Sequence, residues 1–390
     1  MLRVWSVVRS GARDLVTPPP ANVPGLDLLR SLAILLVVSG HYYGDFAASR
    51  VELSGLGKLP FLYFAWTGVD LFFVLSGYLI GGQLWRELLR RGTLDVPRFL
   101  LRRGLRIWPF YFAFLAAVFI TSPKPAAAFL PDVLFLSNYL PNSISGGWSL
   151  STEEQFYIFM PVLLVAMNRV LPVRRQYLVI IALLALLPLV RLATLNTHPA
   201  VVGVDEFRKL IQLPFHTHAD GLLAGVLLSW LAALQPRYLT PLPLRRNLLV
   251  PAALGVAGFM LRNVSPHLFA FSGLALIFGG LTLFVLRDRS LFSRLASSRL
   301  FYITSRLSYG MYLNHFPVLS FCVPALMVVT QAMNPFVGFL IGYPLAVLST
   351  MAVAAVTFIT VESPFLQLRE HWLAGRKRSA SADLKAGEAH

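Results

Sequence analysis

The chain has 390 residues, 56% of them hydrophobic and 13% charged, with a mean hydropathy of +0.66. A soluble domain carries about 25% charged residues, so this composition excludes an ordinary soluble globular protein and points to one membrane bundle. The net charge of +16 would suit nucleic acid if it were clustered, while the single cysteine, Cys322, excludes a disulfide framework or a cysteine-built metal site within the chain.

Residues 1–25 carry Arg3, Arg9 and Arg13, then Pro18, Pro19 and Pro20, ahead of an apolar run from Leu26. No small-residue cleavage site follows and Arg30 interrupts the run. The expectation is therefore a cytoplasmic N-terminal tail (1–25) leading into an uncleaved first span. A crossing helix needs about 20 mostly apolar residues. Ten spans are predicted, near 26–46, 60–82, 105–121, 150–168, 177–194, 210–232, 247–263, 268–286, 309–330 and 336–361. The turn between the seventh and eighth rests on Arg262, Asn263, Ser265 and Pro266. The fold class is all-α, a polytopic helical bundle over 26–365. A small, polar and basic tail, 366–390, is expected to be disordered and cytoplasmic.

The cations alternate along this order. The N-terminal tail, the loops near 83–106, 169–176, 233–246 and 287–308, and the C-terminal tail hold 26 of the 34 Lys and Arg residues. The intervening loops hold only Arg50, Lys58, Lys124, Arg208 and Lys209, with Arg191 and Arg262 at helix ends. Cytoplasmic loops are the Lys/Arg-rich ones. An even number of spans with both termini cytoplasmic is thus predicted, in the cell inner (plasma) membrane, with membrane lipids as surroundings. Charge spread over six loops argues against a nucleic-acid partner.

An ionisable group inside a span is costly and marks function by default. In the first span Arg30 and His41 are eleven residues apart, three turns plus about 20° at about 100° per residue, so they share one face about 16 Å apart along the axis. Arg30 sits near the inner interface and His41 in the outer half. The bland alternative has Arg30 snorkelling and His41 as an interfacial histidine. In the second span Asp70 needs a partner, a histidine or arginine of another helix.

The fourth span opens on Gly146-Gly147-Trp148-Ser149-Leu150-Ser151-Thr152-Glu153-Glu154-Gln155-Phe156-Tyr157. Ser151 and Glu154 fit a capping box, and Trp148 and Tyr157 suit an interfacial aromatic belt. Glu153 and Gln155 are left running into an apolar helix. In the sixth span lies His216-Thr217-His218-Ala219-Asp220-Gly221. Two histidines two apart on a helix point about 200° from each other, so a hydrogen-bonded polar lining is favoured over a metal site, and no metal is expected. At the inner end of the ninth span, Tyr312 and His315 share a face, where structural hydrogen bonding is the plainer role.

Several of these segments together resemble acyltransferase family 3. They are Arg30-x10-His41, Phe72-Phe73-Val74-Leu75-Ser76-Gly77-Tyr78-Leu79-Ile80, Arg102-Arg103-x2-Arg106-Ile107-Trp108-Pro109, Trp148-Ser149-Leu150-Ser151-Thr152-Glu153-Glu154-Gln155-Phe156-Tyr157, Ser308-Tyr309-x2-Tyr312-Leu313-x-His315 and Glu362-Ser363-Pro364. Thr152 departs from the family's usual valine. Each motif is weak alone, but six in the right order cover roughly 25–365. The resemblance implies transfer of an acyl group, acetyl by default, from cytoplasmic acyl-CoA to a hydroxyl-bearing envelope carbohydrate, lipid or small molecule. Acyl-CoA is then a co-substrate, with no permanently bound cofactor. Longer members carry a hydrolase-like domain after the spans, which this chain is expected to lack.

Residues and resemblance agree on roles. His41 is the expected general base, and Glu153 orients it or the acceptor, or relays the proton. Arg30, Arg102, Arg103 and Arg106 are expected to hold the donor's phosphates. Asp70, Trp148, Ser149, Ser151, Glu154, Asp220, Tyr312 and His315 are supporting candidates. No acyl-enzyme is required, although a route through an acyl-histidine stays open. The alternative function is a membrane transporter or flippase of an envelope precursor.

Overall fold

The computed structural model describes residues 10–20, 22–47, 51–198, 203–288 and 291–368. Residues 1–9 and 21 of the N-terminal tail, 369–390 of the C-terminal tail, and Arg50 lie outside the described residues. Ten helices of 15 residues or more stand among the described residues, where the ten spans were expected. They are α1 (Pro24–Ala47), α2 (Gly68–Arg91), α3 (Val96–Thr121), α4 (Gly147–Val170), α5 (Tyr177–Thr197), α6 (Asp220–Leu234), α7 (Leu244–Val264), α8 (Pro266–Arg287), α9 (Arg299–Val329) and α10 (Pro335–Thr357), which continues as a π-turn over Phe358–Glu362. No strand occurs among the described residues.

Eight of these helices are long and apolar enough to cross a membrane. The other two are α4, whose first turns carry Ser149, Ser151, Thr152, Glu153, Glu154 and Gln155, and α6, which has 15 residues. The expected sixth span loses its first half to a π-turn over Arg208–Gln212 and a 3-10 turn over Phe215–Thr217, separated by Pro214. The two histidines of that segment therefore do not lie on one α-helix, and the angular argument that separated them does not apply.

Three boundaries move, each for a local reason. Helix α3 starts at Val96 because the Asp95 carboxylate accepts a hydrogen bond from the Arg98 N–H at 3.1 Å. Arg102, Arg103 and Arg106 thus lie on a helix, not in a loop. Helix α9 starts at Arg299, capped by Ser298, instead of near 309, which carries Tyr312 and His315 from the inner end to the middle of a 31-residue helix. Helix α4 starts at Gly147 from Gly146, whose φ of +78° is left-handed and suits glycine.

The expected capping box at Ser151 and Glu154 is therefore absent, since both residues are interior to α4 and buried. Residues 122–146 fold back over this helix start. The Asp132 carboxylate there accepts from the Ser143 N–H (2.7 Å) and the Ser137 hydroxyl (2.8 Å). The Asn138 and Gln155 amides exchange two bonds of 2.9 and 2.8 Å. Ser151 Oγ accepts from the Ser137 N–H at 3.3 Å instead of capping its own helix.

Glycines let helix pairs close up. At the α2–α6 crossing a Cβ on Gly77 would collide with the Leu222 carbonyl oxygen, and one on Gly225 with that of Val74. Gly258 and Gly273 do the same for the α7–α8 hairpin. Helix α1 runs through the middle of the bundle, packed on α2, α8, α9 and α10.

Candidate active site

Where α1, α2, α3, α4, α9 and the end of α10 converge they leave a cavity of about 540 Å³. Its walls are apolar on the α2 side, with Phe72, Phe73, Leu79 and Ile80. Four arginines also line it, Arg30 of α1, Arg103 and Arg106 of α3 and Arg306 of α9. The carboxylates of Asp27, Glu153 and Glu362 share the space. Asp27 is held by the Ser305 hydroxyl (2.7 Å) and the Asn22 amide (2.6 Å). Glu362 feels the charges of Arg106 and Arg306. Four guanidiniums around one pocket form a site for a polyanion, because each offers a planar fork to phosphate oxygens.

Glu153 belongs to this cavity. The Tyr157 hydroxyl donates to Glu153 Oε2 at 2.9 Å and lies 3.2 Å from Ser76 Oγ. Arg30 and Arg103 both act electrostatically on Glu153, and Arg103 also lies over the Tyr157 ring at 5.7 Å. Tyr157 is thus buried at the cavity wall, not placed in an interfacial belt. Trp148 likewise points inward, stacked on His218 with 5.9 Å between centroids.

Ser149 and Tyr312 form a crosspiece at one end of the cavity. The Tyr312 and Ser149 hydroxyls hydrogen-bond each other, and Tyr312 also donates to the Gly146 carbonyl at 3.1 Å. One turn further along α9, His315 Nδ1 lies 2.6 Å from the Tyr312 carbonyl oxygen. A carbonyl can only accept, so Nδ1 carries the proton and Nε2 keeps the lone pair. That Nε2 is buried with no hydrogen-bond partner among the described residues. The ring of His41 stands 5.0 Å from the His315 ring and 4.4 Å from Phe316, centroid to centroid. His41 itself is exposed and does not line the cavity.

The structure therefore brings Arg30, Arg103, Arg106, Glu153, Ser149 and Tyr312 to one cavity, with His41 and His315 as a pair beyond its crosspiece. It does not bring Glu153 to His41. Arg102 is turned away from the cavity, 3.5 Å from Glu87. Glu154 leaves the site in another direction and accepts from the Trp108 indole at 3.1 Å. Asp70 and Asp220 belong to a separate polar cluster. Asp70 meets His218 at 2.8 Å, and Asp220 pairs with the fully buried Arg191 at 2.8 Å.

Among the cavity residues with no role assigned from sequence are Asp27, Ser76, Arg306 and Glu362. Starting α9 near 309 left Arg306 in a loop. With the helix begun at Arg299, Arg306 falls about one turn before Tyr309 and two before Tyr312, and all three line the cavity.

The acyltransferase domain of acyltransferase family 3 matches residues 23–358. The chain belongs to that family. Among curated relatives, the peptidoglycan O-acetyltransferase OatA of Listeria monocytogenes is 26% identical over 88% of this chain and 55% of its own length. The O-acetyltransferase OatA of Staphylococcus aureus is 24% identical over 77% of this chain and 51% of its own. The chain thus spans about half the length of these relatives. No solved structure matches it significantly.

Proposed function

We propose that this member of acyltransferase family 3 is a membrane O-acyltransferase of the cell inner membrane. In this reading it moves an acetyl group from cytoplasmic acetyl-CoA to a hydroxyl of an envelope carbohydrate on the other side, with both termini in the cytoplasm. The observation that carries the reading is the pairing of an arginine-lined cavity with two imidazoles one helical turn beyond its Ser149–Tyr312 crosspiece. Peptidoglycan heads the acceptors to test, since one relative is named for it.

Arg30, Arg103, Arg106 and Arg306 hold the phosphates of the donor, and Arg102 stays on Glu87 at the rim. The thioester arm extends along α1 from Arg30 to His41, about 16 Å. His41 takes the proton of the acceptor hydroxyl as its oxygen attacks the thioester carbonyl. The ester forms, the C–S bond breaks, and the proton passes from His41 to the departing thiolate, giving free CoA. His315 Nε2, unpartnered in this structure with its ring 5.0 Å from that of His41, would take a His41 N–H as the rings close on the acceptor, which leaves the other His41 nitrogen as the base. Glu153 balances Arg30 and Arg103 and anchors Tyr157. General-base catalysis of this kind contributes about 10²–10⁴-fold.

The test is transfer of label from radiolabelled acetyl-CoA to envelope material by membranes holding wild type, His41→Ala or Arg30→Ala. The expected result is protein-dependent transfer that collapses in both variants at unchanged protein level. Failure of transfer with acetyl and with longer acyl donors would overturn the reading and favour a transporter.

A further inference from the structure

On the face of the bundle where His41 emerges, the loops were cation-poor in the sequence, yet two arginines converge there. Arg208 lies within electrostatic reach of His41. Arg262, in the last turn of α7, sits over three aromatic rings at once, 5.9 Å from Tyr63, 5.8 Å from Phe64 and 5.6 Å from Trp66. Those rings belong to a short strap, residues 60–67, that crosses α1 beside His41. A Cβ on Gly40 would lie 3.1 Å from the Ala65 side chain, so no residue stands between the strap and the turn of α1 that carries His41. Tyr63 and Trp66 are exposed, at 51% and 42%.

Neither arginine has a carboxylate or hydrogen-bond partner among the described residues. The neighbouring Lys209, by contrast, is paired with Glu206 at 3.6 Å. Aromatic faces hold a guanidinium in place without using its N–H groups. Arg262 is thus positioned, with its donors left for something else. Flat amphipathic rings and a charged fork are what a sugar ring with an acidic substituent requires, the rings covering its C–H face and the fork gripping the acid.

We propose that the strap residues Tyr63 and Trp66, with Arg262 and Arg208, form the acceptor subsite of the acyltransferase, and that the acceptor is a saccharide bearing a carboxylate or phosphate. This rests on the acyltransferase reading above and adds to it the charge of the acceptor and the residues that read it. A patch of arginine and aromatics that served only to anchor the protein at the lipid interface would have no reason to sit against the turn carrying His41.

The test uses the full chain in membranes, acetyl-CoA as donor, and envelope glycan as acceptor in three forms. These are native, carboxyl-reduced with carbodiimide and borohydride, and dephosphorylated with hydrofluoric acid. One of the two treatments is expected to raise the half-saturating acceptor concentration of the wild type about tenfold, as loss of one charge-assisted contact does. In Arg262→Gln and Arg208→Gln the native glycan should already show the raised value, the treated glycan should raise it no further, and the half-saturating acetyl-CoA should be unchanged. Equal use of all three glycans by the wild type, or variants with wild-type acceptor saturation, would overturn the proposal. Variants that lose only thermal stability would mark the patch as an interfacial anchor and overturn it likewise. Absence of any protein-dependent transfer from the wild type would instead bring down the acyltransferase reading, and this inference with it.

Discussion

Arg191 and Asp220 form an ion pair with both side chains fully buried, and its removal should be unequal from the two sides. Arg191 donates to the Leu268 carbonyl (2.6 Å), the Thr217 carbonyl (2.8 Å), Ser272 Oγ (2.7 Å) and both Asp220 oxygens (2.8 and 3.2 Å). Taking one partner from a buried pair costs about 3–5 kcal/mol, because the other charge is left uncompensated. Asp220→Asn keeps one carbonyl for Arg191 and should fall at the lower end, about 3 kcal/mol. Arg191→Met leaves Asp220 accepting from Ser272 at 2.5 Å and standing in the first turn of α6, where the helix dipole favours an anion by up to about 2 kcal/mol. Its cost should be smaller, about 2 kcal/mol. The double change Arg191→Met with Asp220→Leu removes both charges and should return to within about 1 kcal/mol of wild type. Equilibrium unfolding in mixed micelles, followed by circular dichroism, reads all three. A double variant as unstable as the worse single one, or single variants with wild-type midpoints, would refute the argument.

Three further outcomes are expected. His315→Asn should lower the rate of acyl transfer about tenfold or more and shift its pH profile, with the half-saturating acetyl-CoA unchanged, because on the proposed mechanism His315 acts only on the tautomer of His41. Arg306→Gln should raise the half-saturating acetyl-CoA roughly 10- to 100-fold, the loss of one hydrogen bond to a charged group, and should make that value less sensitive to salt. Gly77→Ala should destabilise the protein by about 1–3 kcal/mol through overpacking against the Leu222 carbonyl, whereas Gly255→Ala, with open space around it, should not, as the same micelle unfolding experiment would report.

Much of the helical layout is readable from apolar length, since that is a property of contiguous sequence. The Arg30–His41 spacing on one helix is equally local, and the partner demanded by Asp70 is found in His218. What escapes is whatever depends on the chain folding back. Residues 122–146 carry no periodic signal, so nothing announces that they cover the start of α4 and make Ser151 and Glu154 interior residues. Arg191 looks like a helix-end cation because Asp220 is 29 residues away and its helix begins later than its apolar pattern suggests. Arg306 and the central position of His315 were hidden by the same cause. The polar opening turns of α9, residues 299–308, read as loop, yet Tyr302, Ser305, Arg306 and Ser308 among them line a cavity that rewards polar side chains.

A passage that led a thioester into a bilayer, as proposed above, would also be an invitation to ions. A vestibule lined by four arginines would draw in small anions, and if it ran open to His41 it would dissipate the membrane potential. The hydrogen-bonded hydroxyls of Tyr312 and Ser149 stand across that route. On the proposed reading, that bond is what would keep the site from leaking ions between turnovers.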